Sequence, residues 1–131
     1  NIMRQWARLG RGADPAEVGE SAAAMAGDAD IALPARLLEA HTLTLRGRHP
    51  EAVAAAREAC ATLERRGRES FEAFFWVPLA NWVLATALEA GGDASAARSH
   101  FDRAAKLAPD SWFGRGPGAG PAISGDGESR G

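Results

Sequence analysis

The sequence predicts an all-α fold made of tandem helical hairpins, and three observations support this prediction. Apolar residues recur at helical spacing along most of the chain. No stretch alternates apolar and polar residues as a half-buried strand does. Pro and Gly recur in a fixed order, because Pro34 and Pro78 are 44 residues apart and so are Gly47 and Gly91. Such recurrence is typical of repeat proteins, in which stacked units bury apolar faces that none can bury alone.

The N-terminal region predicts two helices separated by a glycine-containing turn. The apolar residues of the first helix are Ile2, Met3, Trp6, Ala7 and Leu9. This helix ends at Gly10-Arg11-Gly12. The second helix begins after Asp14, which is a good N-cap, with Pro15 in the first turn, where its missing N–H is not needed. We expect it to run to about Met25 and to break at Gly27.

The next two helices are marked by proline at the start. Pro34 begins the third helix, whose apolar residues are Leu37, Leu38, Ala40, His41 and Leu45, and Gly47 ends it. Pro50 begins the fourth helix, whose stripe consists of Val53, Ala56, Ala59, Cys60 and Leu63. The charged run 64–68 reads as its solvated C-terminal end, where cations are favourable.

An aromatic segment precedes the last two helices. Phe71, Phe74, Phe75 and Trp76 form either a short helix of their own or the first turns of a long helix kinked at Pro78. The following helix packs Leu79, Trp82, Val83, Ala85 and Leu88 near one face. After a Gly-Gly-Asp turn, the last helix begins at Asp93 and stops at Pro109. It carries Ala97, Phe101, Ala104, Ala105 and Leu107.

These elements predict three segments: a truncated helical hairpin in 1–27, two full hairpins in 28–113, and a disordered tail in 114–131. Half of the residues in the tail are Gly or Pro, and no apolar period survives there. Because the chain begins inside a helical pattern, we expect it to be a piece of a longer protein. Trp112 and Phe113 follow the last helix and either fold back to cap the last hairpin or stay partly exposed.

Composition narrows the class of function. The 15 basic and 17 acidic residues are spread evenly, which argues against a nucleic-acid surface. Cys60 is the only cysteine, so no internal disulfide can form, and a reducing compartment is the expectation. No apolar run approaches the roughly 18 residues of a membrane span. We therefore expect a cytoplasmic protein that contacts neither nucleic acid nor membrane.

The histidines offer no convergent catalytic or metal-binding group. His41 lies on an apolar helix face, His49 in a turn and His100 on the polar side of the last helix, and none has a partner at metal-ligand spacing. Gly10-Arg11-Gly12 follows no strand and lacks the lysine of a phosphate-binding loop. The sequence thus predicts no enzyme activity, no catalytic residues, no cofactor and no metal.

The final hairpin resembles the tetratricopeptide repeat. The matching residues are Leu84, Ala85, Leu88, Ala97, Phe101, Ala104 and Pro109. Gly92-Asp93 falls at the turn of the repeat, whereas Asn81 replaces a large residue and Trp82 comes one place late. The spacing of 44 also exceeds the basic unit of about 34 residues. The family resemblance covers about residues 30–110 and implies an α-solenoid.

The longer helices are similar to the repeat regions of large bacterial regulators. LuxR-type and related ATP-dependent transcriptional regulators and some multidomain adenylate cyclases carry such regions. The residues that carry this likeness are the run 6–12, then Leu33-Pro34 and Leu38-Glu39-Ala40. The resemblance implies a non-catalytic protein–protein interaction or signal-sensing segment of a bacterial regulatory protein, active in signal transduction or transcription regulation.

Two binding hypotheses follow from the repeat alignment. In the first, a protein or peptide partner lies in a groove lined by Leu37, His41, Thr44, Trp82, Thr86 and Glu89. In the second, a small-molecule effector occupies an aromatic pocket between Phe74, Phe75, Trp76 and Trp82. Exposed hairpin ends could also drive self-association, since open arrays without polar caps tend to associate.

Overall fold

The computed structural model describes residues 2–112, and all regular structure among them is helical. The seven helices are α1 (Ile2–Gly10), α2 (Pro15–Met25), α3 (Ala32–Leu45), α4 (His49–Gly67), α5 (Phe71–Phe75), α6 (Val77–Ala90) and α7 (Ala94–Leu107). The all-α class is therefore confirmed for these residues. The predicted disordered tail and Phe113 lie outside the described part of the chain. No helix among residues 2–112 combines the length and the apolar character needed to cross a lipid bilayer.

Side-chain caps explain where three of the helices begin. The carboxylate of Asp14 accepts a hydrogen bond from the Ala16 N–H at 3.0 Å, and Pro15 takes the first helical position. Asp93 accepts from the Ala96 N–H at 3.0 Å in the same way. The Ser70 hydroxyl accepts from the Ala73 N–H at 3.2 Å, which starts α5 as a separate short helix. The sequence had left α5 open between this and a kinked longer helix.

Three turns of one geometry close α1, α3 and α6. Each contains a glycine in the left-handed region, Gly12 (φ 91°), Gly47 (φ 78°) and Gly92 (φ 98°). The residue after each glycine donates its N–H to a carbonyl five residues earlier, in the bonds Ala13 to Arg8, Arg48 to Leu43 and Asp93 to Leu88, all 2.9 Å. The equivalent glycines are thus 35 and 45 residues apart. The predicted pairing of Gly47 with Gly91 is wrong by one residue, because Gly91 has φ −83°.

The helices contact one another in a regular order. Pairs that follow in the chain pack together: α1 with α2, α2 with α3, α3 with α4, and α6 with α7. In addition, α4 packs on α6, α1 contacts α3, and α3 contacts α6, while the short α5 lies against α4 and α6. One apolar core continues through these contacts from Trp6 in α1 to Phe101 in α7.

Close approach of α2 to α3 depends on one glycine. A Cβ atom built on Gly19 would lie 2.8 Å from the Oγ1 atom of Thr42, a buried residue of α3. The Thr42 hydroxyl is itself fixed, because it donates a 2.6 Å hydrogen bond to the Glu39 carbonyl. Gly19 therefore weakens α2 as an isolated helix but permits this packing.

Substituting Gly19→Ala tests this packing. In an ordinary helix interior the change stabilises by about 0.5–1 kcal/mol, but here we expect the free energy of unfolding to fall by about 1–2 kcal/mol through overpacking. Urea unfolding measures it. Gly27→Ala is the control, since its Cβ would meet the Ala24 carbonyl at an ordinary 3.5 Å. Adding Thr42→Ala should restore stability, and a Gly19→Ala variant as stable as the wild type would contradict the close approach.

Candidate binding site

The structure distributes the six predicted groove residues between the interior and the surface. Four of them are buried, Leu37, His41, Thr44 and Trp82, whereas Thr86 is half-buried and Glu89 is exposed. Three of the six residues lie on α3 and three on α6. Because α3 and α6 contact each other, the structure places the two sets on neighbouring helices. Their burial means that a partner can reach most of them only if something covering them moves.

Four aromatic rings form a closed cycle at the centre of this region. His41 stacks on Trp6 with ring centroids 5.3 Å apart and an interplanar angle of 27°. On its other side, the His41 and Trp82 centroids are 5.0 Å apart. Trp112 completes the cycle, with its ring 4.9 Å from Trp82 at 84° and 5.8 Å from Trp6 at 51°. We call Trp6, His41, Trp82 and Thr86 the aromatic site, and Trp112 lies against two of its rings.

The repeated turn explains why these side chains meet. Trp6, His41 and Thr86 each lie six residues before a left-handed glycine, Gly12, Gly47 and Gly92 respectively. They therefore hold the same position in α1, α3 and α6. Trp82 precedes Thr86 by one helical turn and so lies on the same face of α6.

Trp112 reaches the site from the segment that follows α7. Pro109 comes two residues after the last residue of that helix, and the Ser111 N–H donates to the Ala108 carbonyl at 3.2 Å, which forms a turn. Trp112 thus folds back onto Trp82 of the last hairpin (α6 and α7), as one of the two sequence alternatives had it, and it also contacts Trp6 of α1. No Cα atom of α1 lies within 8 Å of one of α6, and the rings of Trp112 and His41 bridge Trp6 of α1 and Trp82 of α6.

The aromatic site contains buried polar atoms without hydrogen-bond partners. Within residues 2–112, the buried side-chain atoms in this condition are Trp6 Nε1, His41 Nδ1, Trp82 Nε1 and Thr86 Oγ1. Leaving one buried donor or acceptor unpaired costs about 1–3 kcal/mol. Since all four belong to one site, the site combines an apolar surface with an unused capacity for hydrogen bonds.

The site is electrically neutral at pH 7. Burial lowers the pKa of His41 from its usual 6.5 to about 4, because the charged imidazolium would lose its hydration there. His41 is therefore neutral, with one ring nitrogen donating and the other accepting. Such an arrangement can hold an aromatic side chain between rings and offer indole N–H groups to a carbonyl or hydroxyl oxygen.

A second polar cluster ties α4, α6 and α7 together. Arg103 binds Glu64 with two hydrogen bonds of 2.5 and 2.6 Å. The buried Asn81 donates to Glu64 at 3.0 Å, and its carbonyl oxygen lies 2.9 Å from His100 Nδ1. Asn81 is thus buried with its side-chain amide hydrogen-bonded to residues of α4 and α7. The Arg103 hydrogen bonds lower the pKa of Glu64, as expected for a satisfied carboxylate.

These residues line an open cleft of about 380 Å³. Burial raises the pKa of Cys60, at its wall, to about 11, which leaves the thiol protonated and unreactive. Burial also lowers the pKa of His100, and the nearby Arg57 lowers it further. With Arg103 and Asn81 already engaged, the cluster is explained as a structural tie between helices.

The predicted small-molecule pocket does not bring its four aromatic residues into mutual ring contact. Trp82 contacts His41 and Trp112, while Phe75 meets Trp76 edge-on at 5.4 Å. Phe75 is 68% exposed and Phe74 38% exposed, so these two rings face solvent. The structure thus places Trp82 in the aromatic site and Phe74 and Phe75 at the surface.

Two residues that contact one another here were missing from the predicted groove, Trp6 and Trp112. Trp6 could have been found, because its distance to Gly12 equals that of His41 to Gly47. Trp112 carries no such signal, since it follows the last helix and belongs to no repeat position.

Comparison of the chain with protein-family models, with curated proteins and with solved structures gave no match. Among residues 2–112, no three His, Cys, Asp or Glu side chains are grouped closely enough to hold a metal ion. The function is therefore inferred from the aromatic site itself.

The burial of His41 predicts a pH-dependent stability. Its folded pKa of about 4 is below the usual 6.5. Above pH 6.5, His41 is neutral in both the folded and the unfolded chain, so its burial carries no protonation penalty. As the pH falls from 6.5 toward 4, the unfolded chain takes up a proton that the folded chain does not, and the free energy of unfolding falls. The total loss is about 3 kcal/mol.

Urea unfolding between pH 7 and pH 4.5 measures this dependence, and His41→Phe should lose less stability than the wild type over that range. His49→Gln, in the first turn of α4, is the matched control. The comparison is made between variants because His100 and Glu64 also titrate in acid. Parallel curves for wild type and His41→Phe would show that His41 does not remain neutral in the fold.

Proposed function

We propose that this chain is a tetratricopeptide-like α-solenoid that binds a protein partner, through an extended peptide segment, at the aromatic site. In this proposal it is a non-catalytic interaction segment of a larger regulatory protein. The observation that carries the proposal is Trp112, an aromatic side chain on the segment that follows α7, lying against Trp6 and Trp82.

The order of helix contacts supports the solenoid. The first helices of successive hairpins, α1, α3 and α6, contact their neighbours, and the second helix of each of the first two hairpins packs on the next first helix. A glycine in the left-handed region ends each of these first helices. Stacked hairpins have these properties, and their first helices line one common face.

The unpaired polar atoms support a peptide ligand. An extended peptide presents a carbonyl oxygen at each residue, so it can accept hydrogen bonds from the indole N–H groups of Trp6 and Trp82. Thr86 Oγ1 and His41 Nδ1 could pair with the same backbone. A ligand of this kind would combine aromatic contact with hydrogen bonds that the free chain does not make.

Panning a random peptide library displayed on phage against the immobilised full chain tests the proposed function. We expect enrichment of peptides that carry an aromatic residue, because the aromatic site accepts such a ring. Synthetic copies of the enriched peptides are then titrated in solution by calorimetry. A library that gives no binder, or binders that Thr86→Val leaves unaffected, would contradict binding at this site.

The substitution Thr86→Val should separate stability from binding. Valine keeps the shape of threonine but removes a buried hydroxyl without a partner, so we expect the free energy of unfolding to rise by about 1 kcal/mol. Peptide affinity should fall, because one hydrogen-bonding group of the aromatic site is lost. Thr62→Val on α4 is the matched control and should leave affinity unchanged. Lower stability in Thr86→Val would show that the hydroxyl is satisfied in the fold.

A further inference from the structure

We infer that the aromatic site selects a partner peptide that bears a tryptophan side chain, and that the chain's own Trp112 occupies the site as its competitor. The inference rests on the proposed function, because it names the ligand chemistry and the regulation of the same site. Trp112 is the ligand that the structure already shows there.

The geometry of the site fits an indole. The ring of Trp112 contacts Trp82 edge-on at 4.9 Å and Trp6 at 5.8 Å, and these two tryptophans belong to helices that have no Cα atoms within 8 Å of each other. The indole of Trp112 thus reaches both rings at once. Aromatic contacts of this kind stabilise a bound ring beyond its burial, and a side chain that reaches only one of the two tryptophans loses one of them.

Trp112 is held in the fold less firmly than Trp6 and Trp82, the two tryptophans that it contacts. Trp6 and Trp82 are 2% and 3% exposed and stand in the middle of helices, whereas Trp112 is only half-buried. It follows a short turn in which Pro109 and Asp110 are exposed. Withdrawal of Trp112 would end its ring contacts with Trp6 and Trp82 but would not require any of the helices α1 to α7 to unfold.

The fit of Trp112 to the site is also incomplete. With Trp112 in place, the indole N–H groups of Trp6 and Trp82, His41 Nδ1 and Thr86 Oγ1 still lack partners. A peptide that inserts a tryptophan and also pairs these atoms would bind more strongly than the resident segment. This gives an intermolecular ligand a reason to displace a residue that is tethered nearby.

Competition by Trp112 should lower the apparent affinity of a partner peptide by a measurable factor. The apparent affinity of a ligand falls by the fraction of molecules whose site is open, so a site occupied by Trp112 in about nine molecules of ten weakens binding about tenfold. Removing Trp112 should recover this factor without changing any residue of the aromatic site.

The probe is a synthetic peptide that copies residues 106–112 of the chain, with a second peptide in which alanine replaces its tryptophan. We expect the first peptide to bind full-length Trp112→Ala, and to bind the wild type about tenfold more weakly. The alanine peptide should bind neither. Trp76→Phe, which changes a tryptophan outside the aromatic site, should behave like the wild type.

A second measurement uses the unsubstituted chain, in case Trp112→Ala does not fold. The wild type is labelled with 5-fluorotryptophan, and the ¹⁹F resonance of Trp112 is assigned by its loss in Trp112→Phe. Saturation with the unlabelled tryptophan peptide should move the Trp112 resonance toward its solvent-exposed position, while that of Trp76 stays. A Trp112 resonance that does not move at saturation would overturn the competition.

The outcomes distinguish this inference from the proposed function. Equal affinity of wild type and Trp112→Ala, or equal binding of the two peptides, would overturn the inference. The proposed function would survive that result if library peptides without tryptophan still depended on Thr86. If the library gives no binder on the wild type and none on Trp112→Ala, the proposed function itself is wrong.

Discussion

The constraint on which the structure depends is the identical closure of α1, α3 and α6 at a left-handed glycine. Because Gly12, Gly47 and Gly92 end their helices in the same way, positions counted back from them are equivalent. One such position holds Trp6, His41 and Thr86. The aromatic site is thus a consequence of backbone geometry that repeats, combined with side chains that do not.

Two clusters of polar side chains between the helices differ in whether their hydrogen bonds are made. Asn81, Glu64 and Arg103 satisfy one another across three helices, and a fully paired network of this kind makes the packing specific. Trp6, His41 and Trp82 keep polar atoms unpaired although these side chains are more deeply buried than Glu64 and Arg103. Among residues 2–112, the unpaired buried polar atoms are thus confined to the aromatic site, whereas the neighbouring cluster has its hydrogen bonds. This pattern is expected where a ligand supplies the missing hydrogen bonds.

The sequence predicted the helices well because their ends carry local signals. Asp14, Pro15 and Asp93 act through hydrogen bonds and ring geometry within a few residues, and so their roles could be read directly. The choice between Gly91 and Gly92 could not, since either glycine can adopt a positive φ and tertiary packing decides. Trp112 was out of reach for another reason. Its contacts are to residues 30 and 106 positions away, and no local rule gives such a pairing.

The aromatic site draws at least one side chain from each hairpin, and this also has an evolutionary consequence. Repeat proteins commonly lengthen or shorten by whole units, because each unit contacts only its neighbours. In the proposed solenoid, the loss of any hairpin would remove a side chain of the aromatic site, and an inserted hairpin would move Trp112 away from Trp6. Selection acting on the aromatic site would therefore hold the number of hairpins fixed.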